Sequence, residues 1–590
     1  MKYILPISNI KSDTGAAGAL KGHAPAANLV CITIAVIAVY CQVACSQDSK
    51  METSSIPRLR QTGQGATQLY VNSKPFLALG GELGNSTASD LDILEPALAR
   101  CQRMNLNTVM LPVYWDLIEP EEGKFDFSLV RGAIDRARNH GLHLVYLWFG
   151  SWKNSMSCYA PGWVKRDTTR FERAKQSSGE TMEIISPESA AANEADARAF
   201  ASLMRWTKDY DAKEQTVIMA QVENEIGMIP EARDHSEISE LAYKSAVPSI
   251  LLSLAARGEL GPEISALWEK AGRKTRGTWN DVFGPGPQGE EVFSAWLFAN
   301  YVEKIAASGK KEYPLPMYAN AALIRPGYLP GQYPSAGPLP HLLELWRAGA
   351  PSLDMICPDI YFPNFMEWCG RYVRNENPLF IPEMAASARA PANALYAAAQ
   401  FGAIGFGPFS IESVSPDREQ QVANCYGLLA GMSDLILNCQ QNKKIIGLSP
   451  QIAFDWTVDR EPQRGEVGGV AFEARFDEPG TGGDTRTTAL PTLGSGRWEA
   501  PPGTPLGAVM ILQLAEDEFA IAGRGATITF APADGKGKIG IDYVREGSYQ
   551  KGGTWVGARW LNGDEIHQGR HVHLDDGAWT VQRVKLYKYN

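Results

Sequence analysis

Short apolar runs alternate along most of the chain with stretches of helical spacing, and the apolar runs end in polar residues. Residues 68–80 read as a pair of short strands around Asn72-Ser73-Lys74, ending in the polar, glycine-rich segment 80–85. Residues 91–104 place Leu91, Leu94, Ala97, Leu98 and Cys101 on one helical face. A strand at 108–115, a loop at 116–127, a helix at 128–140 and a strand at 142–149 repeat the alternation. A helix at 191–210, carrying Phe200, Leu203, Met204 and Trp206, leads into the β-prone run Thr216-Val217-Ile218-Met219. The stretch 229–293 interrupts the pattern as an insertion with helical stretches of its own. Strands at 315–320, 353–361, 379–383 and 403–409 bring the number to eight. Eight strands alternating with helices predict an α/β fold, a (β/α)8 TIM barrel, with its active site built from the loops that follow the strands.

Helical periodicity fades after about residue 438, and Gly, Asp and Thr begin to punctuate short strands such as 508–514, 527–530 and 579–589. This predicts a smaller all-β, sandwich-like domain over 439–590, with 465–494 as a mobile loop. The first residues follow a third pattern. Lys2, Lys11 and Lys21 precede an apolar run at 29–40, which is followed by Cys41-Gln42-Val43-Ala44-Cys45-Ser46, the layout of an export signal. Val43-Ala44-Cys45 resembles a bacterial lipobox, although Gln42 stands where such a motif usually carries Leu. Cys45 would then be lipidated and the protein anchored to the membrane through lipid, as an exported periplasmic or outer-membrane lipoprotein of a bacterium. The expected layout is 1–45 export signal, 46–67 linker, 68–438 barrel with insertion 229–293, and 439–590 β-rich domain.

Composition narrows the function. A length of 590 residues calls for two or three domains, and 21 % charged residues are ordinary for a globular enzyme. The net charge of −10, with no basic cluster, argues against a nucleic-acid partner. The six cysteines after the leader show no metal-ligand spacing, and His567, His571 and His573 have no carboxylate at helical spacing, so no metal or organic cofactor is implied. The strand from Thr216 runs into Gln221-Val222-Glu223-Asn224-Glu225, and the run Pro378-Leu379-Phe380-Ile381-Pro382 ends in Glu383. Two strand-terminal glutamates from distant parts of one sheet suit glycoside hydrolysis, in which one carboxylic acid protonates the leaving oxygen and a carboxylate on the other face attacks or stabilises the anomeric carbon. Glu223 and Glu225 are rivals for the acid.

Residues 105–128 (NLNTVMLPVYWDLIEPEEGKFDFS), Gln221-Val222-Glu223-Asn224-Glu225-Ile226-Gly227 and the Ile381-Pro382-Glu383 strand end resemble glycoside hydrolase family 35, the β-galactosidases of a retaining barrel clan. Residues 148–165 and 560–574 are similar to a shorter, exported bacterial branch with an appended β domain of undefined function. The resemblance implies a retaining exo-β-galactosidase acting on oligo- or polysaccharides, with Glu225 as general acid/base and Glu383 as nucleophile. It also implies substrate contacts from Asn224 to the sugar 2-hydroxyl, from Glu82, Tyr114 and Asn320, and from Trp152 as a stacking platform. Tyr361, at the end of the sixth strand, is placed to orient Glu383. Many larger members of that family carry a glutamate where this chain has Ser151, so a hydroxyl contact is either lost or supplied differently, by Lys153 or Asn154. Two other readings stand beside this one: the same mechanism on a β-glucosaminide, β-arabinoside or β-fucoside, and a glycan-binding lipoprotein without catalysis.

Overall fold

The computed structural model describes residues 56–62, 66–374, 376–476 and 499–590. Eight parallel strands close a barrel: β1 (Ala78–Glu82), β2 (Thr108–Tyr114), β3 (His143–Lys153), β4 (Val217–Asn224), β5 (Met317–Ala322), β6 (Met355–Ile360), β7 (Ile381–Met384) and β8 (Gly405–Pro408). Every residue of β1, β2, β4, β6, β7 and β8 is buried, because the barrel interior covers one face and the helices cover the other. Closure between β8 and β1 requires a bare backbone. A Cβ on Gly80 would lie 2.8 Å from the carbonyl oxygen of Phe406 and 2.9 Å from the Met110 side chain. The helix Leu91–Arg103 begins on Asp90, whose carboxylate accepts from the backbone of Asp92 and Ile93, and it turns Leu94, Ala97, Leu98 and Cys101 inward.

Several boundaries differ from expectation. Residues 68–76 stand outside the barrel, where Arg58–Thr62, Ala66–Val71 and Lys74–Phe76 form a three-stranded sheet, so part of the expected linker is folded. β3 continues through Lys153, past the expected end at Phe149, because its register against β4 shifts between Trp148 and Lys153. The insertion holds the helices Glu237–Tyr243, Ser249–Arg257, Gly261–Lys270 and Trp279–Phe283. The last barrel helix, Pro416–Gln441, runs slightly beyond 438. Cys45 and the export segment lie outside the described residues, and no described helix is long and apolar enough to cross a membrane.

After that helix come two antiparallel sheets. The larger has six strands in the order Ile445–Leu448, Ala508–Gln513, Glu518–Arg524, Thr580–Tyr589, Lys538–Gln550 and Thr554–Leu561. The smaller is ordered Gln463–Val467, Val470–Arg475, Ala526–Pro532 and Val572–Leu574. Its first hairpin, Gln463–Val467 and Val470–Arg475, occupies the start of the segment 465–494 expected to be a mobile loop, and residues 477–494 of that segment lie outside the described residues. Val509, Ile511, Phe519 and Ile521 face a core shared with Phe472 of the smaller sheet, whereas their neighbours Met510, Leu512, Ala520 and Ala522 join the barrel's core. Alternation along a strand thus feeds two cores, and the larger sheet is a layer between the barrel and the smaller sheet.

Gly431, on the last barrel helix, lets the backbone of the C-terminal sheet come close to that helix. A Cβ there would lie 2.1 Å from the carbonyl oxygen of Tyr549. Gly431→Ala is therefore expected to cost roughly 1–3 kcal/mol by overpacking, read as a lower midpoint in thermal denaturation. Gly370→Ala is the comparison: its Cβ would meet nothing within 4 Å, so that variant is expected to be neutral or slightly stabilising.

Candidate active site

Strand register decides which side chains meet. Asp359 stands opposite Glu383 across β6 and β7, Ala322 opposite Asp359 across β5 and β6, and Lys153 opposite Asn224 across β3 and β4. At the end of β4 the backbone leaves regular strand geometry, with Glu223 at φ +61° and Glu225 at φ +43°. Left-handed conformations at non-glycine residues cluster where a site imposes them. Here they turn the two glutamates to different surroundings. Glu223 accepts from the backbone N–H of Trp152 at 2.7 Å and of Ser151 at 3.2 Å. Burial and the adjacent Asp196 push its pKa well up, and a hydrogen bond joins the two carboxyls. Asp196 itself accepts from Trp148 Nε1 at 2.8 Å and from Ser151 Oγ at 2.6 Å. Glu223 is thus a buried strut between β4 and the helix Ala190–Asp211.

Glu225 faces a cavity of about 360 Å³ that Lys153, Asn154, Asp359, Tyr361 and Glu383 also line. Its backbone N–H donates to Asn320 Oδ1 at 3.0 Å, and its carbonyl accepts from the Ser155 N–H at 3.1 Å. The Asn154 amide donates to its carboxyl group. Carboxylate oxygens of Glu225, Asp359 and Glu383 lie within 4.8 Å of one another. Tyr361 donates its hydroxyl to Glu383 Oε1. So much like charge cannot stay ionised out of water, and protons are retained. Burial first, and the Glu383 charge second, raise Glu225 to about 7; Lys153, Asp359 and Asn154 pull it down. Asp359 is pushed well above the usual carboxylate range by burial and then by Glu383 and Glu225, and it hydrogen-bonds Glu225. Glu82 is raised in the same way by burial and by Glu383, to which it is hydrogen-bonded.

Of the residues expected to form the site, Glu225, Glu383, Glu82, Asn320 and Tyr361 come together. Asn320 acts on protein groups: besides holding the Glu225 backbone, it donates Nδ2 to Asp359 Oδ2 at 2.6 Å. Asn224 is buried at the end of β4, and neither polar atom of its amide has a hydrogen-bond partner among the described residues. Two expected sugar contacts are packing residues instead. Tyr114 packs on Tyr159 and Phe149 and donates its hydroxyl to the Asn85 carbonyl at 2.8 Å, so it supports Asn85 at the cavity wall. Trp152 is fully buried against Tyr301 and Phe298, with ring centroids 4.5 and 5.4 Å away, because the register shift in β3 sends it outward. Ser151 is likewise tied to Asp196 and Tyr301. Arg233, Asp234 and His235, at the start of the insertion, form a polar network with Glu240, Glu290 and Ser186. The residues that sequence reasoning missed are Asp359, whose strand-end position matches that of Glu383, and the rim groups Arg325, Phe362 and Phe409.

Residues 87–253 match a family model described as beta-galactosidase, that of glycoside hydrolase family 42, and residues 422–573 match a domain of unknown function, DUF5597. The part of the barrel from β2 to β4 is therefore similar to a glycosidase family. The matching family is 42, and the likeness to family 35 is borne out only at the level of the glycoside hydrolase clan. Beta-galactosidase 13 of Arabidopsis thaliana is 29 % identical over 83 residues, covering 14 % of this chain and 10 % of that protein. The chain thus spans about a tenth of the length of that curated relative. The β-amylase catalytic domain of Paenibacillus polymyxa aligns with a TM-score of 0.44 and 12 % identity, over 61 % of this chain and 98 % of that one. A β-galactosidase of Marinomonas ef1 aligns with a TM-score of 0.43 and 12 % identity, over 62 % of each chain.

Lys153 is the ammonium among these carboxyls. It is buried, with Nζ 5.2 Å from the centroid of the Phe149 ring, and Glu383, Glu225, Glu82 and Asp359 raise its pKa against the effect of burial. A positive neighbour favours ionised Glu225, so its removal must move Glu225 upward. In Lys153→Met, carbon-13 NMR of labelled glutamate carboxyls is expected to show Glu225 titrating roughly one unit above the wild-type value. An unchanged or lower titration would contradict the electrostatic account.

Proposed function

We propose that this chain is a retaining exo-β-galactosidase that removes terminal β-galactosyl residues from oligo- or polysaccharides by double displacement, with Glu383 as nucleophile and Glu225 as acid/base. The observation that carries the reading is the pairing of these two carboxyls, with oxygens within 4.8 Å across one cavity and Glu225 near half-protonated at neutral pH. Retaining glycosidases hold their carboxyls about 5–5.5 Å apart, whereas inverting enzymes leave about 6.5–9.5 Å for a water. Oxygens within 4.8 Å of each other are compatible with the shorter, retaining separation.

In the first step Glu225 gives its proton to the glycosidic oxygen, the bond from that oxygen to the anomeric carbon breaks, and Glu383 forms an ester to the same carbon. The aglycone leaves as an alcohol. Ester formation removes the Glu383 charge, one of the two main influences that keep Glu225 protonated, so Glu225 becomes a stronger acid and then serves as the base. In the second step it takes a proton from water, the oxygen attacks the anomeric carbon, and Glu383 departs as carboxylate. The hydroxyl of Tyr361 fixes Glu383 for attack. The amide of Asn224, which has no protein partner among the described residues, is available to the sugar 2-hydroxyl, a contact that strengthens as the oxocarbenium character develops.

A cavity of about 360 Å³ suits one sugar ring taken end-on. The match of residues 87–253 to a β-galactosidase family supports the sugar, and family 42 fits better than family 35. Export, with lipid anchorage at Cys45, rests on the sequence of the leader alone and places the substrate among glycans that reach the cell envelope.

Hydrolysis of 4-nitrophenyl β-galactoside tests the assignment. Glu383→Gln is expected to fall below about a hundredth of wild-type kcat, since loss of a nucleophile removes several kcal/mol of transition-state stabilisation. Glu225→Gln is expected to lose comparable rate on natural disaccharides, yet to keep its first step on a 2,4-dinitrophenyl galactoside, whose leaving group needs no proton. Full activity in either variant on a natural disaccharide would refute its assignment. Turnover confined to a glucosaminide, arabinoside or fucoside would retain the two glutamates and change the sugar.

A further inference from the structure

The domain that follows the barrel touches two of the loops that carry the site. After β6, Phe362 stands beside Tyr361 and lines the cavity. Its ring packs edge-on against Phe454, with centroids 5.1 Å apart and planes at 64°. Phe454 lies in the turn between Ile445–Leu448 and Gln463–Val467, the first strands of the two C-terminal sheets. That turn is tightly bonded. Ala453 N–H donates to the Thr457 carbonyl at 2.8 Å, Trp456 N–H to the Ala453 carbonyl at 3.0 Å, and Thr457 N–H to Asp455 Oδ1 at 2.9 Å. Trp456 is held at φ +69°, a conformation that a bulky residue keeps only where its surroundings impose it.

The second contact follows β7. Arg389 lies on the loop that leaves Glu383, and its buried guanidinium donates to Ser449 Oγ at 3.1 Å and to the Pro505 carbonyl. Burial lowers its pKa to about 10. The partners are neutral oxygens of the C-terminal region, so a charge has been taken out of water to fasten the β7 loop to that region. One side of the cavity is therefore built on the barrel and backed by the second domain.

We infer that the C-terminal domain is part of the active site: by seating Phe454 behind Phe362 it fixes the wall against which the sugar beyond the scissile bond is held. This rests on the glycosidase reading and gives the domain a role in substrate selection. Phe454 is a positioning residue, because it acts through the Phe362 ring, whose apolar face suits the CH surface of a pyranose. The side chains that hydrogen-bond Glu225 and Glu383, Asn154, Asn320 and Tyr361, all belong to the barrel, so the effect falls mainly on the leaving sugar and leaves the bond-breaking groups in place.

The test compares two substrates with the same galactosyl unit and different leaving groups, galactobiose and β-galactosyl fluoride. For Phe454→Ala, KM for galactobiose is expected to rise about tenfold, while kcat/KM for the fluoride stays within about twofold of wild type. Phe454→Leu should recover most of the loss, and Trp560→Ala, at an exposed position of the same domain, should change neither substrate. Equal losses on both substrates would make Phe454 a merely structural residue and overturn the inference, as would no change on either. Should the wild-type protein turn over no β-galactoside, the parent reading fails. The inference is then decided by calorimetry: Phe454→Ala must weaken galactobiose and not galactose, and any other result, including no binding, overturns it.

Discussion

Desolvated like charge is the constraint on which this structure depends. Barrel closure carries Glu82, Glu225, Asp359 and Glu383 to one end of the sheet, where they are largely removed from water, and the buried Lys153 stands among them. Such a cluster survives only by keeping protons on some of its members. The distribution is uneven: Glu82 and Asp359 are held well above the ordinary range, Glu225 near neutrality, and Glu383 accepts the Tyr361 hydroxyl. In the proposed mechanism Glu225 is the proton donor and Glu383 the nucleophile. Asn320 links the parts, holding the backbone of Glu225 with one atom of its amide and Asp359 with the other.

The barrel was legible because burial on both faces writes each strand as a compact apolar run, and because strand ends collect polar residues. What the pattern could not convey was direction at those ends. Choosing Glu225 over Glu223 required the left-handed turns at the end of β4, and nothing in Gln221-Val222-Glu223-Asn224-Glu225 announces them; the choice rested on family resemblance. Trp152 and Tyr114 failed as sugar contacts for the same reason. An aromatic residue near a strand end is equally good at filling the layer behind it, and the register shift in β3 decided the matter for Trp152. Asp359 occupies a strand end like that of Glu383 and could have been found by the same rule. Lys153 was visible only as a substitute for a missing contact, since its importance lies in the charges around it.

The second domain shows the same division. Its strands and its sandwich-like layering follow from alternation, yet Met510 and Leu512 are as apolar as Val509 and Ile511, and no pattern says that one pair meets the barrel. The docking is carried by single features: a glycine that lets Tyr549 approach a helix, a buried arginine, and an aromatic pair at the cavity rim. Short motifs likewise fixed the clan without fixing the family, because catalytic strand ends are shared more widely than the surrounding chain.

The most direct test of the central claim is covalent trapping. A 2-deoxy-2-fluoro-β-galactosyl fluoride slows the second step more than the first, so a retaining enzyme accumulates its glycosyl-ester intermediate. Peptide mapping by mass spectrometry should then place one fluorogalactosyl group on the peptide containing Glu383, and the Glu383→Gln protein should remain unlabelled. Rapid turnover of β-galactosides with no adduct, or an adduct on another carboxylate, would contradict the account.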